Sequence, residues 1–377
     1  MNNFNFEQSC FSCGACGDSC PVGAITYNET LHPVINENKC IHCSLCEKVC
    51  LHLNPPKPTE GDWPEQGFVL KSRDDEIRKN SSSGGVFIQL AQAVLAAGGY
   101  VCGCVYDDSQ MPKHVVTNDF ETCKKMMGSK YVKSDMSGCI AAIKALTEKG
   151  DKVLFTGVPC QIAAVKRCAS GENLLTAAVV CHGSIERDIW RKYLAEESPE
   201  GAIASVTMRD KSRGYLDYGL KFTFRDGTER ITFRCTNGYF LKSFTDGLLE
   251  RDRCLSCTMK GHHIQSDLLL GDAWGMDRIF PEFVDDLGCS AVLALTPQGQ
   301  DFLEKQLYQF HVKTVASEKI IQCNQRIVTP APVNPFRASF QKKLQKGANV
   351  HRISEKYAKS TLLNRIKLKI ARLVSFK

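Results

Sequence analysis

The chain lacks what a membrane-spanning or exported protein needs. Its longest apolar run, Leu174–Cys181, is interrupted by Thr176 and falls far short of the roughly 20 residues that cross a bilayer. Met1–Gln8 has neither a basic start nor an apolar stretch, and it carries Glu7, so no export leader is expected. Without export, disulfides are not expected, and 20 cysteines in 377 residues point to metal ligation in a soluble, cytoplasmic protein. A basic folded body is missing too. The net charge of +7 resides in the tail, where Phe340–Lys377 holds eleven Lys or Arg against the single acid Glu355. The preceding body is mildly acidic, which argues against a nucleic-acid partner.

Eight of the cysteines form two runs of identical spacing. Cys10, Cys13, Cys16 and Cys20 read C-x2-C-x2-C-x3-C and are followed by Pro21; Cys40, Cys43, Cys46 and Cys50 repeat the spacing. This is the ligand pattern of a bacterial ferredoxin with two [4Fe–4S] clusters, in which the fourth cysteine of each run serves the other cluster. Cys10, Cys13, Cys16 and Cys50 are therefore assigned to one cluster, and Cys40, Cys43, Cys46 and Cys20 to the other. A pair of zinc sites is the alternative, but zinc takes four ligands and seldom three evenly stepped cysteines.

Residues 1–58 are read as this ferredoxin-type domain, ending in the extended linker Asn54-Pro-Pro-Lys-Pro58. Residues 59–340 follow as the core, in parts 59–198 and 199–340, and 341–377 as a basic helical tail. Strands are predicted at Gly67–Lys71, Tyr100–Tyr106, Lys152–Thr156 and Leu174–Val180. Helices are predicted from Ser81 to about Ala97 with a serine N-cap, from Gly138 to Lys149, after Cys160, and over Ile185–Glu196. The alternation predicts an α/β core with a partly parallel sheet. Beyond residue 200, Ala204–Arg209, Tyr218–Phe224 and Thr228–Phe233 read as antiparallel strands turning at Asp226-Gly227. Leu268–Leu270 and Val292–Leu295 are placed with them in an α+β subdomain over that layer. In the tail, Leu362, Leu363, Ile366, Ile370, Leu373 and Val374 share one helical face. Packing on the chain's own domain is favoured over docking on an anionic membrane surface or a partner helix.

Four more cysteines stand out. Cys160 and Cys181 each follow a predicted strand, so both fall at one edge of the sheet, where α/β proteins build sites. Cys254 and Cys257 form a lone C-x2-C. Spacing alone leaves two readings open: four thiolates converging on a third cluster, or small buried residues with half a motif.

At these residues the chain resembles the family of coenzyme F420 hydrogenase/dehydrogenase beta subunits, including its bacterial type with an N-terminal ferredoxin. The resemblance rests on Asn80-Ser-Ser-Ser-Gly-Gly85, Gly128-Ser-Lys-Tyr-Val132, Gly157-Val-Pro-Cys-Gln161, Cys181-His-Gly183, Cys254-x-x-Cys257 and Ser266-Asp-Leu-Leu-Leu-Gly-Asp-Ala-Trp274. Val158 departs from a usual threonine and Ala273 from a common aromatic. The resemblance implies an α/β flavoprotein, FAD (with FMN as the alternative), and a third [4Fe–4S] cluster on Cys160, Cys181, Cys254 and Cys257. It does not choose the acceptor, since members reduce a deazaflavin or a tetrapyrrole.

Some residues support a flavin independently. Ser81, Ser82, Ser83, Gly84 and Gly85 put small residues at a helix N-terminus, which suits a phosphate. Ser129 and Lys130 are candidates for the phosphate or the isoalloxazine ring, and Asp272 for a hydroxyl. Ordinary caps, a surface lysine and a turn aspartate are the plainer readings. His182 and Lys130 are the candidate catalytic residues; support of the neighbouring cluster is preferred for His182 over proton donation. Cys102 and Cys104 face one side of a strand and are read as core. The expected function is an iron–sulfur flavoprotein oxidoreductase serving an unidentified small organic acceptor, with a redox partner protein as donor. An electron-relay subunit without its own substrate site, and a cluster-containing regulatory protein, are the alternatives.

Overall fold

The computed structural model describes residues 9–198 and 202–358. Near the N-terminus, β1 (Ile25–Tyr27) and β2 (Pro33–Ile35) pair antiparallel between two one-turn helices, Ala15–Asp18 and Leu45–Lys48. The repeat in the sequence recurs in the backbone. Ser12 and His42 occupy equivalent places inside the first C-x2-C of each run and have φ of 47° and 54°. Gly14 and Ser44, one residue past the second cysteine, have φ of 86° and 58°. Left-handed residues in such loops turn successive N–H groups inward and make anion-binding nests.

The core is one eight-stranded mixed sheet. Its members are β3 (Gln66–Ser72), β4 (Tyr100–Tyr106), β5 (Pro112–Thr117), β6 (Val153–Gly157) and β7 (Leu174–Val179). A separate sheet holds β8 (Ile203–Asp210), β9 (Gly219–Phe224) and β10 (Glu229–Phe233). Then β11 (Leu268–Asp272), β12 (Ser290–Ala294) and β13 (Phe310–Ala316) return to the large sheet. Its order is β13-β3-β12-β11-β7-β6-β4-β5, with β4, β6, β7 and β11 mutually parallel. Successive side chains alternate between faces. Val153 and Phe155 pack on one side with Ala163 and Leu269, while Leu154 packs on the other with Leu90 and Val101.

Three expectations need correction. The strands at Leu268 and Val292 are not in the small subdomain. As β11 and β12 they lie inside the large sheet, because their unbroken apolar runs suit strands buried on both faces. The helix expected from Ser81 begins at Val86; its N-cap is Gly85, at φ 83°, and no serine caps it. A short helix, Asp75–Asn80, precedes it, capped by Asp74, whose Oδ1 accepts from the N–H groups of Glu76 and Ile77. The boundary at residue 341 falls within the helix Arg337–Gln345. That helix and Val350–Ala358 bury Phe340, Leu344, Val350 and Ile353 against the small subdomain beside Tyr193 and Phe240. The apolar face expected over Leu362–Val374 lies outside the described residues. Among the described residues, no helix is long and apolar enough to cross a membrane.

The linker does not hold the two units apart. Thr59 N–H donates to His262 O at 2.7 Å, Gln265 Nε2 to Lys57 O at 2.9 Å, and His263 Nδ1 lies 3.1 Å from Pro56 O. Asp18 joins the domain to the core as well. Its carboxylate accepts from the N–H groups of Gly138 (2.8 Å), Ile140 (2.8 Å) and Ala141 (3.2 Å), so it caps the helix Cys139–Glu148 from another domain. Asp18→Ala should lower stability by about 1 kcal/mol, the usual worth of an N-cap. A denaturant titration reads this as a lower midpoint, and Asp18→Asn should recover part of it. A midpoint unchanged in the alanine variant would show that water replaces the cap.

Candidate functional site

Cys10, Cys13, Cys16 and Cys50 surround one hollow in the N-terminal domain, with Phe11, Leu51 and Tyr27 on its walls. The structure thus brings together the cysteines that the crossed ligand pattern assigns to one cluster. Burial pushes the Cys16 thiol up to about 11, against its hydrogen bond with Tyr27, whose hydroxyl lies 3.5 Å from the sulfur. Cys13 is raised further for the same reason. The second set is more open: Cys20, Cys40 and Cys46 are half-buried and Cys43 is exposed.

The four core cysteines also meet. Cys160 lies in the first turn of the helix Pro159–Cys168, just past β6. Cys181 follows β7, and Cys254 begins the turn to Cys257; all four line one small hollow with His182, Arg251 and Lys260. Burial pushes the Cys181 thiol up to about 12 and the Cys257 thiol up to about 11, and charge on the neighbouring sulfurs adds to both. Lys260 acts the other way on both, and its ammonium donates to Cys181 O and, at 2.6 Å, to Arg326 O. Buried thiols of this kind release their protons on binding a cationic centre.

A single metal ion does not fit the spacing. Tetrahedral zinc, with Zn–S near ~2.3 Å, draws its sulfurs to within about 4 Å of one another. Among the described residues, the one group of three or more such donors all within 4.8 Å is Glu37, Cys40 and His42. The donor set, four soft thiolates more widely spread, fits an iron–sulfur cluster instead.

Beside this hollow lies a cavity of about 550 Å³, within the range of small-molecule sites. The C-terminal ends of the parallel strands β4, β6, β7 and β11 open into it, through Cys104, Thr156, Val179 and Asp272. Ser81, Ser82, Ser83 and Gly85 line it at one end, next to Ser129 and Lys130. The two predicted loops touch: Ser82 Oγ and Ser129 Oγ are 2.8 Å apart. Lys130 Nζ donates to Met127 O at 3.0 Å and Met126 O at 3.2 Å, and burial lowers its pKa.

Gly84 does not line the cavity. A Cβ there would sit 2.2 Å from Leu70 O and 2.7 Å from Ser290 N. It is glycine because β3 and β12 pass too close for a side chain. Cys104 is corrected in the opposite sense: Cys102 is buried, as expected of core, but Cys104 faces the cavity.

At the other end, Asp272 pairs with Arg209 at 2.6 Å. The Arg209 guanidinium is buried and lies over the rings of Tyr218 (4.4 Å), Tyr215 (5.2 Å) and Trp274 (5.6 Å). Arg209 sits at a β-bulge between Thr207 and Asp210, which turns it inward. His182 lines both the cavity and the cysteine hollow, and its Nε2 is 3.3 Å from the buried carboxylate of Glu250. Phe11 lines both cysteine hollows. Phe11, Arg209, Glu250 and Arg251 carry no motif in the sequence, and only their spatial neighbours mark them.

Residues 9–53 match the model of the 4Fe-4S dicluster domain. Residues 150–319 match the model described as coenzyme F420 hydrogenase/dehydrogenase, C terminus of the beta subunit. One subunit of the F(420)H(2) dehydrogenase of Methanosarcina mazei is 25% identical over 218 residues, 53% of this chain and 60% of its own length. The chain therefore spans about 60% of that relative. A chain of the xenon-derivatised F420-reducing [NiFe] hydrogenase complex from Methanosarcina barkeri has 20% identity and a TM-score of 0.47, covering 80% of this chain and 93% of its own. Residues 150–319 thus carry the C-terminal domain of coenzyme F420 hydrogenase/dehydrogenase beta subunits, and residues 9–53 carry a 4Fe-4S dicluster domain.

Proposed function

We propose that this chain is an iron–sulfur flavoprotein oxidoreductase that conveys electrons between its dicluster domain and a two-electron reaction in the large cavity. The observation that carries this reading is continuity. Phe11 borders the Cys10/Cys13/Cys16/Cys50 hollow and the Cys160/Cys181/Cys254/Cys257 hollow, and Cys181 and His182 border the latter and the cavity. Each set of four cysteines would hold a [4Fe–4S] cluster, and the cavity a flavin, FAD or FMN. When bound, these groups supply one-electron carriers and the exchange between one- and two-electron chemistry.

The chain's own residues divide the remaining work. The N-terminal turn of the helix Val86–Ala96 and the Ser82–Ser129 pair offer N–H and hydroxyl donors for a phosphate. Lys130 is held by carbonyl oxygens at the close of the helix Phe120–Met126, with its charge near the cavity wall. His182, whose Nε2 lies 3.3 Å from Glu250 Oε1 without a hydrogen bond, is the group placed to move a proton at the cavity edge next to Cys181. Asp272, oriented by Arg209, presents a carboxylate to the same space. The acceptor is proposed to be a small organic molecule, and the donor a redox partner protein. The relative from Methanosarcina mazei is named as one part of a larger dehydrogenase, which supports a partner. Relay without a substrate site is the second reading.

Anaerobic purification with iron, sulfide and flavin analysis tests the proposal; about twelve irons and one flavin per chain are expected. Ser129→Asp should cut flavin content about tenfold, some 1.4 kcal/mol, by setting a carboxylate where the phosphate is held. Iron should stay constant, and Ser109→Asp, in an exposed turn, should change neither. Full flavin occupancy in the Ser129 variant would place the phosphate elsewhere. Absence of flavin from the anaerobic wild-type protein would favour relay.

A further inference from the structure

Arg251 is a buried cation set between two cysteine sites. Its side chain is 2% exposed. Nη2 donates to Ser12 Oγ at 2.9 Å, and Nη1 lies 3.4 Å from Phe11 O. Both acceptors belong to the loop that binds Cys10 through Ser12 N–H, 3.2 Å from the sulfur. Its main chain serves the other site: Arg251 O accepts from Cys254 N at 2.9 Å, and Arg251 N–H donates to Ser184 O at 2.9 Å. Ser184 Oγ in turn lies 3.7 Å from Cys254 Sγ. One residue therefore joins the inner loop of the dicluster domain to the first turn of the Cys254–Cys257 motif.

Two neighbours complete the setting. His32 Nε2 is 3.1 Å from Arg251 Nη2. Burial first, then the guanidinium, hold the ring's pKa down to about 4, so it stays neutral and accepts. The counter-ion is Glu186, with Oε1 2.9 Å from Arg251 Nε and a side chain 23% exposed. Its other oxygen, Oε2, has no hydrogen-bond partner. Oε2 is itself buried, and burial raises the Glu186 carboxyl above its ordinary pKa, so the anion offsets the guanidinium only in part. A positive potential is therefore left between the two sets of sulfurs.

We propose that Arg251 is a shared counter-charge, which raises the electron affinity of the inner dicluster site and the core cysteine site together and keeps the two matched. Glu186 sets how much of that charge the sites feel. Arg251 touches neither substrate nor reacting atoms; it is a positioning residue whose effect is electrostatic. This rests on the three-cluster reading above. Each site gains one electron per reduction, supplied in the test by dithionite through mediators.

The experiment is a potentiometric titration of the full-length anaerobic protein followed by EPR. Glu186→Gln keeps the hydrogen bond to Arg251 and removes the negative charge. At fixed poise it should raise the reduced-to-oxidised ratio of the inner and core sites about tenfold, 59 mV for one electron, and move the outer site on Cys20, Cys40, Cys43 and Cys46 less. Arg251→Met should shift the same two sites the opposite way, and Arg251→Lys should restore most of the shift. Unmoved potentials in Glu186→Gln with full iron and sulfide, or an equal shift at all three sites, overturns the proposal. A wild-type protein with only two clusters overturns the three-cluster reading and this inference with it.

Discussion

Cys257→Ala in the full-length protein will remove about four of about twelve irons and leave the other eight in place. The argument is spatial. Cys257 shares a hollow with Cys160, Cys181 and Cys254, and its sulfur accepts from Met259 N–H at 3.4 Å. Its thiol is held up by burial and by the charge at Cys160, so it rests protonated in an unloaded site and gives up its proton on binding a cationic centre. An alanine supplies no ligand, and no spare cysteine lines the hollow. The dicluster sulfurs belong to other loops and should keep their iron. Electron transfer into the cavity should fall at least a hundredfold while reduction of the dicluster domain by dithionite persists. Iron and sulfide analysis, with stopped-flow reduction of the flavin proposed for the cavity, reads both effects. Cys123→Ala, at a buried thiol on the opposite face of the sheet, is the control. Unchanged iron content in Cys257→Ala would remove the third cluster from the account.

The second large effect is on stability. Asp267 is buried between β7, β11 and the helix Pro297–Glu304. Its carboxylate accepts from Thr176 N (2.8 Å), Thr176 Oγ1 (2.6 Å), Lys166 Nζ (2.9 Å) and Thr296 Oγ1 (3.1 Å). Asp267→Ala strands those donors, and breaking a buried charge pair costs about 3–5 kcal/mol. Lys166 is partly exposed and recovers some hydration, so a value near the lower end, about 3 kcal/mol, is expected. Chemical denaturation should show it as a lower midpoint with an unchanged slope. Asp267→Asn should lose less, since it keeps an acceptor. Wild-type stability in the alanine variant would mean that water satisfies the network.

This result bears on how the sequence is read. Ser266–Trp274 looks like one functional motif, yet its parts differ. Ser266 Oγ accepts from Ala178 N–H at 2.8 Å and, with Asp267, stitches β11 to β7, whereas Asp272 and Trp274 face the cavity. A linear motif cannot distinguish a brace from a ligand contact when both lie on one strand. The doubled cysteine runs were legible because their ligand geometry is local, set by steps of two or three residues. β4, β6 and β7 were legible because buried parallel strands are continuous apolar runs. The partners of β11 and β12 were not, since apolar runs name no neighbour. Neither were Arg209 and Arg251. Each is a lone arginine whose side chain meets rings or loops distant along the chain, among them, for Arg251, a loop more than two hundred residues away.

The cap that Asp18 places on the helix Cys139–Glu148 has a consequence for modularity. Ferredoxin-type units are commonly thought of as detachable adaptors, joined to an enzyme by a tether. Here the unit completes the first turn of a core helix, and Phe11, Ala15 and Leu51 enter the same apolar cluster as Ile140 and Phe155. Exchanging it for another unit of the same cysteine spacing would leave that helix uncapped and a gap in the apolar layer beneath. The spacing of the ligands can be transplanted, but the seat cannot, so the two parts of this chain are constrained to change together.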